Sequence, residues 1–176
     1  MTFHEMALQG VYRVELEKRE DHRGFFARVW CAEEYRKHGL CAEYVQHNVG
    51  FSPRRGTLRG IHYQRAPHCE VKVVRCTMGK VFDVAVDLRT DSESYGKWCG
   101  IELSATNRSM LYIPEGCAHG YLTLADDAEV IYYTSKSYAP ESSSGVRYDD
   151  PELGIVWPEP VRVVSDADCT WPLLTR

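Results

Sequence analysis

Three clusters in the chain join polar or ionisable side chains to segments that read as strands. The first runs from Gln46 and Asn48 through Arg59 to His62, Tyr63 and Gln64. The second is Pro114-Glu115-Gly116-Cys117-Ala118-His119-Gly120, and the third is Tyr132 with Tyr138, followed much later by Ser165-Asp166-Ala167-Asp168. Unperturbed imidazole titrates close to neutrality, so a histidine in a cleft can move protons at physiological pH or, when neutral, ligate a metal. Taken singly, a histidine is as readily a satisfied structural residue and a strand tyrosine a core aromatic. The clusters acquire meaning from the elements that hold them together.

Those elements are mostly strands. Residues 71–77 and 81–88 read as two strands joined by the turn Met78-Gly79-Lys80. In the second, Phe82, Val84, Val86 and Leu88 share one face, and Val81, Asp83, Ala85 and Asp87 the other. In the first, Lys72 should point opposite to Val71 and Val73. Further strands are predicted at 100–104, 109–113, 121–124 and 129–134, and one helix at 32–38, with Gly39 placed to end it. Short strands punctuated by Gly, Pro, Asn and Asp predict an all-β antiparallel sandwich or barrel. Alternate residues would point into its single mouth, where a ligand can sit.

At 176 residues the chain fits one domain, 1–176, large enough to bury a core without staples. A formal net charge of −4 argues against a general nucleic-acid binder. No apolar run approaches the roughly 20 residues that cross a bilayer. Met1-Thr2-Phe3-His4-Glu5-Met6 shows no secretory pattern, which points to the cytoplasm. The seven cysteines are scattered without a C-x-x-C pair, so they read as reduced, small apolar residues and not as a zinc or redox motif.

Gly56 with His62 six residues later, and Pro114-x-Gly116-x-x-His119, resemble the two motifs of cupins. In metal-binding cupins two histidines one residue apart, a glutamate and a distant histidine hold a divalent ion. Here Gln64 stands where the second histidine of the pair would be, and an amide is a poor ligand for a transition metal. His62, Glu70 and His119 could still be assembled as three ligands, but no metal is expected.

A more specific resemblance covers residues 21–174. The segments that carry it are Asp21-x-Arg23-Gly24-Phe25-Phe26, Gln46-x-Asn48, Arg59-Gly60-Ile61-His62-Tyr63-Gln64, Lys72, and Gly79-x-Val81-Phe82-Asp83-Val84-Ala85-Val86-Asp87-Leu88-Arg89. It continues through Ser94-x-Gly96-x-Trp98, Ile113-Pro114-x-Gly116-x-Ala118-His119-Gly120, Asp149-Asp150-Pro151, Ile155-x-Trp157-Pro158 and Ser165-x-x-Asp168. In these the chain resembles the RmlC family, the dTDP-4-dehydrorhamnose 3,5-epimerases, which are cupin jelly-roll barrels with a few short helices. The resemblance implies an isomerase acting on a nucleotide-diphosphate-linked 4-keto-6-deoxy sugar, without cofactor, in surface polysaccharide assembly.

A C4 ketone acidifies the hydrogens at C3 and C5, so epimerisation needs a base, a partner for the enolate oxygen and a proton donor on the opposite face. The resemblance implies His62 as base, Asp168 as the carboxylate that orients it, Lys72 beside the carbonyl and Tyr132 as donor. By the same likeness Arg59, Gln46 and Asn48 hold the nucleotide, His119 and Tyr138 line the pocket, and Arg23 and Phe26 reach in from the neighbouring subunit of a homodimer.

Four departures from the family pattern bear on substrate. Arg28 stands where a glutamate is usual. An arginine is donor-only and suits the acceptor edge of cytosine or guanine, unless it turns to a surface carboxylate. Cys69-Glu70-Val71 replaces a Gln-Gly approach to the lysine, Lys136 a common aspartate, and Ala167 a frequent lysine. The competing expectations are therefore a mono-epimerase at C3 or C5, and the same chemistry on a CDP- or GDP-linked sugar. More distant ones are a 3,4-ketoisomerase, a metal cupin and a non-catalytic sugar-binding cupin.

Overall fold

Lys80–Asp87 is a strand on which the predicted alternation is realised. Its Val81 and Ala85 enter a core between two sheets, whereas Phe82, Val84 and Val86 join a second apolar cluster on the opposite face. The computed structural model describes residues 1–174. In chain order the elements are β1 (Thr2–Glu5), β2 (Tyr12–Glu15), β3 (Arg19–Asp21), β4 (Gly24–Phe26), α1 (Ala32–Lys37), β5 (Gln46–Ser52), β6 (Leu58–Gln64), β7 (Lys72–Met78) and β8 (Lys80–Asp87). They continue with β9 (Trp98–Ser104), β10 (Met110–Ile113), β11 (Cys117–Thr123), β12 (Ala128–Thr134), β13 (Ser143–Gly145) and α2 (Asp166–Thr170).

Two antiparallel sheets carry the fold, one ordered β1-β2-β10-β7-β12-β5 and the other β13-β6-β11-β8-β9; β3 and β4 form a separate hairpin. This is the expected all-β jelly roll with short helices. The inner core contains Val74, Cys76, Leu103, Leu111 and Val130, and the buried Cys76, Cys99 and Cys117 fill it as small apolar residues. All seven cysteines are free thiols.

The predicted strands are present with their ends moved by a few residues. The largest shift is the strand expected at 121–124, which starts at Cys117 and so includes His119. β5 and β6 carry no apolar alternation in sequence, because alternate side chains are polar and line a cleft.

The outer face of the six-stranded sheet is covered by α1 and the segments around it. Six residues are too few for a helix to stand alone, so packing must hold it. Tyr35 is fully buried, with ring centroids 5.2, 6.4 and 6.2 Å from those of Phe3, Tyr44 and Tyr112. Gly39, at φ +70°, ends the helix as its position predicts.

The Tyr35 hydroxyl is buried without a hydrogen-bond partner among the described residues. Tyr35→Phe keeps the ring and removes that unsatisfied group, so thermal unfolding is expected at the same or a higher temperature, with a gain of about 1 kcal/mol. A loss of stability in that variant would show that the hydroxyl is bonded.

Candidate active site

His62 on β6 lies directly opposite His119 on β11. The approach of these strands explains a glycine in each motif. A Cβ on Gly60 would sit 2.5 Å from the Gly120 Cα, and one on Gly120 would sit 2.8 Å from the Arg59 carbonyl oxygen. Gly60 also adopts φ +128°, which side chains disfavour. Just beyond, the register slips between His119 and Tyr121.

Asp168 arrives from α2, which is only five residues long and is started by a side-chain cap: the Asp168 N–H donates to Ser165 Oγ at 3.1 Å. That turn sets the carboxylate against His62, with 2.5 Å between His62 Nε2 and Asp168 Oδ1. The Trp171 indole N–H donates to the same oxygen at 3.3 Å, and the Gly60 N–H donates to Oδ2 at 3.3 Å. Burial pushes the Asp168 carboxyl upward. The hydrogen bond and charge of His62, with the Gly60 and Trp171 donors, outweigh it and hold the group below the usual aspartate range. An ionised carboxylate only accepts, so Nε2 carries the proton and Nδ1 is the nitrogen left to take another.

The facing wall is the six-stranded sheet. Lys72 on β7 pairs with Thr134 on β12, and Tyr132 pairs with Val74, so the alternation that sends Val74 and Cys76 into the inner core also sends Lys72 and Tyr132 inward. Val71 and Val73 lie in the outer cluster, as expected. The Lys72 ammonium donates to the His62 carbonyl oxygen at 3.3 Å and pairs with Glu70 Oε1 at 3.1 Å. Tyr132 is half-buried against the core. Its phenol is pushed up chiefly by burial, then by the charge of Glu70, against a smaller opposite pull from Arg59.

Between these walls lies a cleft of about 840 Å³, lined by His62, Lys72, His119, Tyr132, Tyr138 and Asp168 together with Gln46, Asn48 and Arg59. Its size suits a ligand larger than a simple sugar. Gln46 is oriented at both ends of its amide: its Nε2 donates to Asn48 Oδ1 at 2.9 Å, and its Oε1 accepts from the Tyr138 N–H at 3.1 Å. The Arg59 guanidinium donates to Ser52 Oγ at 3.2 Å and to the Phe51 carbonyl at 2.9 Å.

Three expected site residues lie outside the cleft of this chain. Arg23 is 78% exposed and pairs with Asp21 at 2.6 Å on the β3–β4 hairpin. Phe26 is 73% exposed at the end of the same hairpin, while Lys18 and Arg108 stack on the adjacent Phe25. Arg28 donates to Glu34 at 2.7 Å, the surface-carboxylate arrangement of the two left open by sequence.

Among the side chains that join the cleft or its support without an expected role in catalysis or substrate binding are Glu70, Tyr121, Trp171 and Asp83. Tyr121 was readable in principle, two residues past His119 on one strand. Alternation puts Asp83 on the face of β8 that carries Val81 and Ala85, but its partner, His119 Nε2 at 2.8 Å, is set by strand pairing. The other Asp83 oxygen is buried without a partner among the described residues. His62, Glu70 and His119 thus each engage a different partner. No group of three or more His, Cys, Asp or Glu placed to hold a metal occurs among the described residues.

A family model described as dTDP-4-dehydrorhamnose 3,5-epimerase matches residues 5–176. The chain belongs to this family. A dTDP-4-dehydrorhamnose 3,5-epimerase of Sinorhizobium fredii is 39% identical over 175 residues, covering 99% of this chain and 90% of that one. The crystal structure of the Elizabethkingia anophelis dTDP-4-dehydrorhamnose 3,5-epimerase superposes with a TM-score of 0.95 at 37% identity, covering 98% of this chain and 96% of that one. A 3'-monoepimerase from Streptomyces bikiniensis, solved with dTDP-quinovose, gives 0.89 at 34% identity, with coverages of 97% and 86%. This family member is therefore an isomerase with a jelly-roll fold. No helix among its described residues is long and apolar enough to cross a membrane.

Proposed function

We propose that this epimerase inverts C3 and C5 of a dTDP-linked 4-keto-6-deoxyhexose through two enolates. The observation that carries the reading is the placement of an imidazole–carboxylate pair on one wall of the cleft and a protonated phenol on the other. His62 Nδ1 takes the proton from the carbon beside the ketone, and the electron pair of the broken C–H bond moves onto O4. Lys72 stabilises that oxygen, because a fixed cation in a half-enclosed cleft needs no reorganisation as charge develops. Tyr132 then gives its proton to the opposite face of the same carbon, and solvent exchange resets both groups. Repetition at the second carbon completes the reaction.

Arg59, with Gln46 and Asn48, would hold the nucleotide diphosphate, arginine being suited to charge-assisted bonding of phosphate. Arg23 and Phe26 lie on an exposed hairpin and do not line their own cleft. That supports a homodimer in which each hairpin completes the partner's site. Arg28 is engaged with Glu34 and does not line the cleft of this chain.

The likeness to a 3'-monoepimerase keeps inversion of one carbon as a second reading. Turnover of a dTDP-linked 4-keto-6-deoxy sugar in deuterated buffer, followed by NMR, separates the two. Deuterium is expected at both C3 and C5, with no turnover of the CDP or GDP sugars. One labelled carbon would establish the mono-epimerase, and no labelled carbon would reject both readings.

A further inference from the structure

Glu70 is a carboxylate that lines the cleft, its side chain only 9% exposed. It lies just before β7, in the segment where the chain departs from the family's usual Gln-Gly approach to the lysine. Each of its oxygens has one partner: Oε1 meets Lys72 Nζ at 3.1 Å, and Oε2 accepts from Gln64 Nε2 at 3.1 Å. Gln64 is itself immobilised. Its Oε1 accepts from the Ala139 N–H at 2.7 Å, which forces its amide nitrogen toward Glu70, the His68 carbonyl at 3.1 Å and the Ser137 carbonyl at 3.2 Å.

We propose that Glu70 is a positioning residue for Lys72, holding the ammonium through a chain that begins at the backbone on either side of Tyr138. A lysine side chain has four rotatable bonds and a diffuse preference for water. The His62 carbonyl alone would leave its ammonium free to swing along the cleft. A second acceptor at 3.1 Å on the other side, backed by a buried amide with no freedom to flip, fixes where the cation stands relative to both walls. Glu70 touches neither the reacting carbons nor the ketone in this scheme. Its effect is transmitted through Lys72, so the catalytic consequence rests on the enolate role proposed above, while the positioning itself does not.

The test uses Glu70→Ala, Glu70→Gln, Lys72→Met and the double variant Glu70→Ala/Lys72→Met in the full chain. Glu70→Ala is expected to lower kcat by about 10–100-fold, the cost of a displaced catalytic group, with KM changed by less than about threefold. Glu70→Gln keeps the length but offers one acceptor oxygen where two donors each need one. Its NH2 must face either the Lys72 ammonium or the fixed Gln64 amide, so it should recover no more than part of the loss. In the Lys72→Met background, Glu70→Ala should add less than about a twofold effect, because coupled residues are non-additive. In protein labelled with 15N-lysine, the Lys72 ammonium is expected to give a protected, slowly exchanging resonance that Glu70→Ala abolishes.

An unchanged ammonium resonance in Glu70→Ala would overturn the proposal whatever the activity. So would a fall in kcat that persists undiminished in the Lys72→Met background, or a Glu70→Gln variant with full activity, since that side chain cannot satisfy both Lys72 and Gln64. If Lys72→Met turns over normally while the resonance is lost in Glu70→Ala, the positioning stands and the enolate role of Lys72 fails.

Discussion

His62→Asn is expected to lower kcat by about 10²–10⁴-fold, the usual worth of a positioned general base, without unfolding the chain. The side chain is 41% exposed, so its truncation leaves no large cavity. Asp168 keeps two of its three donors, the Gly60 N–H and the Trp171 indole N–H. The matching variant, Asp168→Asn, tests why the base works. An amide that offers its oxygen to His62 Nε2–H must aim its NH2 at the Gly60 N–H, donor against donor, and the reverse orientation faces the His62 proton. The first orientation leaves two donors facing each other and the second reverses the tautomer. Both remove the charge that stabilises an imidazolium, so a kcat deficit of similar order is expected.

Stability gives an independent reading of the same pair. Because the Asp168 carboxyl is held below its ordinary range in the folded state, its contribution is present above the unfolded value near pH 4 and is lost as pH falls through the depressed one. The stability gap between wild type and Asp168→Asn should therefore narrow below about pH 4. Steady-state kinetics and urea titrations at several pH values check both statements. A His62→Asn variant within tenfold of wild type would remove His62 from the base role.

Tyr132→Phe is expected to divide the reaction. The ring still packs against the inner core, so the fold is kept, but the proton for the opposite face is gone. His62 can still remove a proton and return one from solvent to the face it came from. Deuterium should enter the substrate with retained configuration, while the inverted product falls by about 10²-fold or more. The wild-type phenol suits this role, since burial and then Glu70 push its ionisation upward and keep it protonated at neutral pH. Proton NMR of the sugar in deuterated buffer resolves exchange from inversion. If exchange and inversion drop together, Tyr132 holds the substrate and does not donate to it.

Much of the candidate site could be read before any coordinates because its residues sit in segments whose spacing is fixed by their own geometry. The alternation in 81–88 gave both faces of β8, and that in 71–77 put Lys72 on the face opposite Val71 and Val73, without saying which face is inward. The resemblance supplied the rest of the group, and nine of its site residues, Gln46, Asn48, Arg59, His62, Lys72, His119, Tyr132, Tyr138 and Asp168, share one cleft. β5 and β6 could not be delimited from sequence for the same reason that they matter: strands that line a polar cleft lack the apolar repeat by which strand ends are recognised.

The sequence by itself determined the fold class, the motif around His62 and the residue types available for proton transfer, because strand periodicity and motif spacing are local properties. Only the tertiary structure decided what each side chain meets. Asp168 lies 106 positions along the chain from His62, and Asp83 lies 36 from His119, so their pairing depends on how strands and helix are packed. The same holds for Arg28, which sequence left between a nucleobase and a carboxylate and which the fold turns to Glu34. For His62 the motif gave a base in search of partners. The turn at α2 supplied a carboxylate behind it, and the packing of two sheets a phenol across from it.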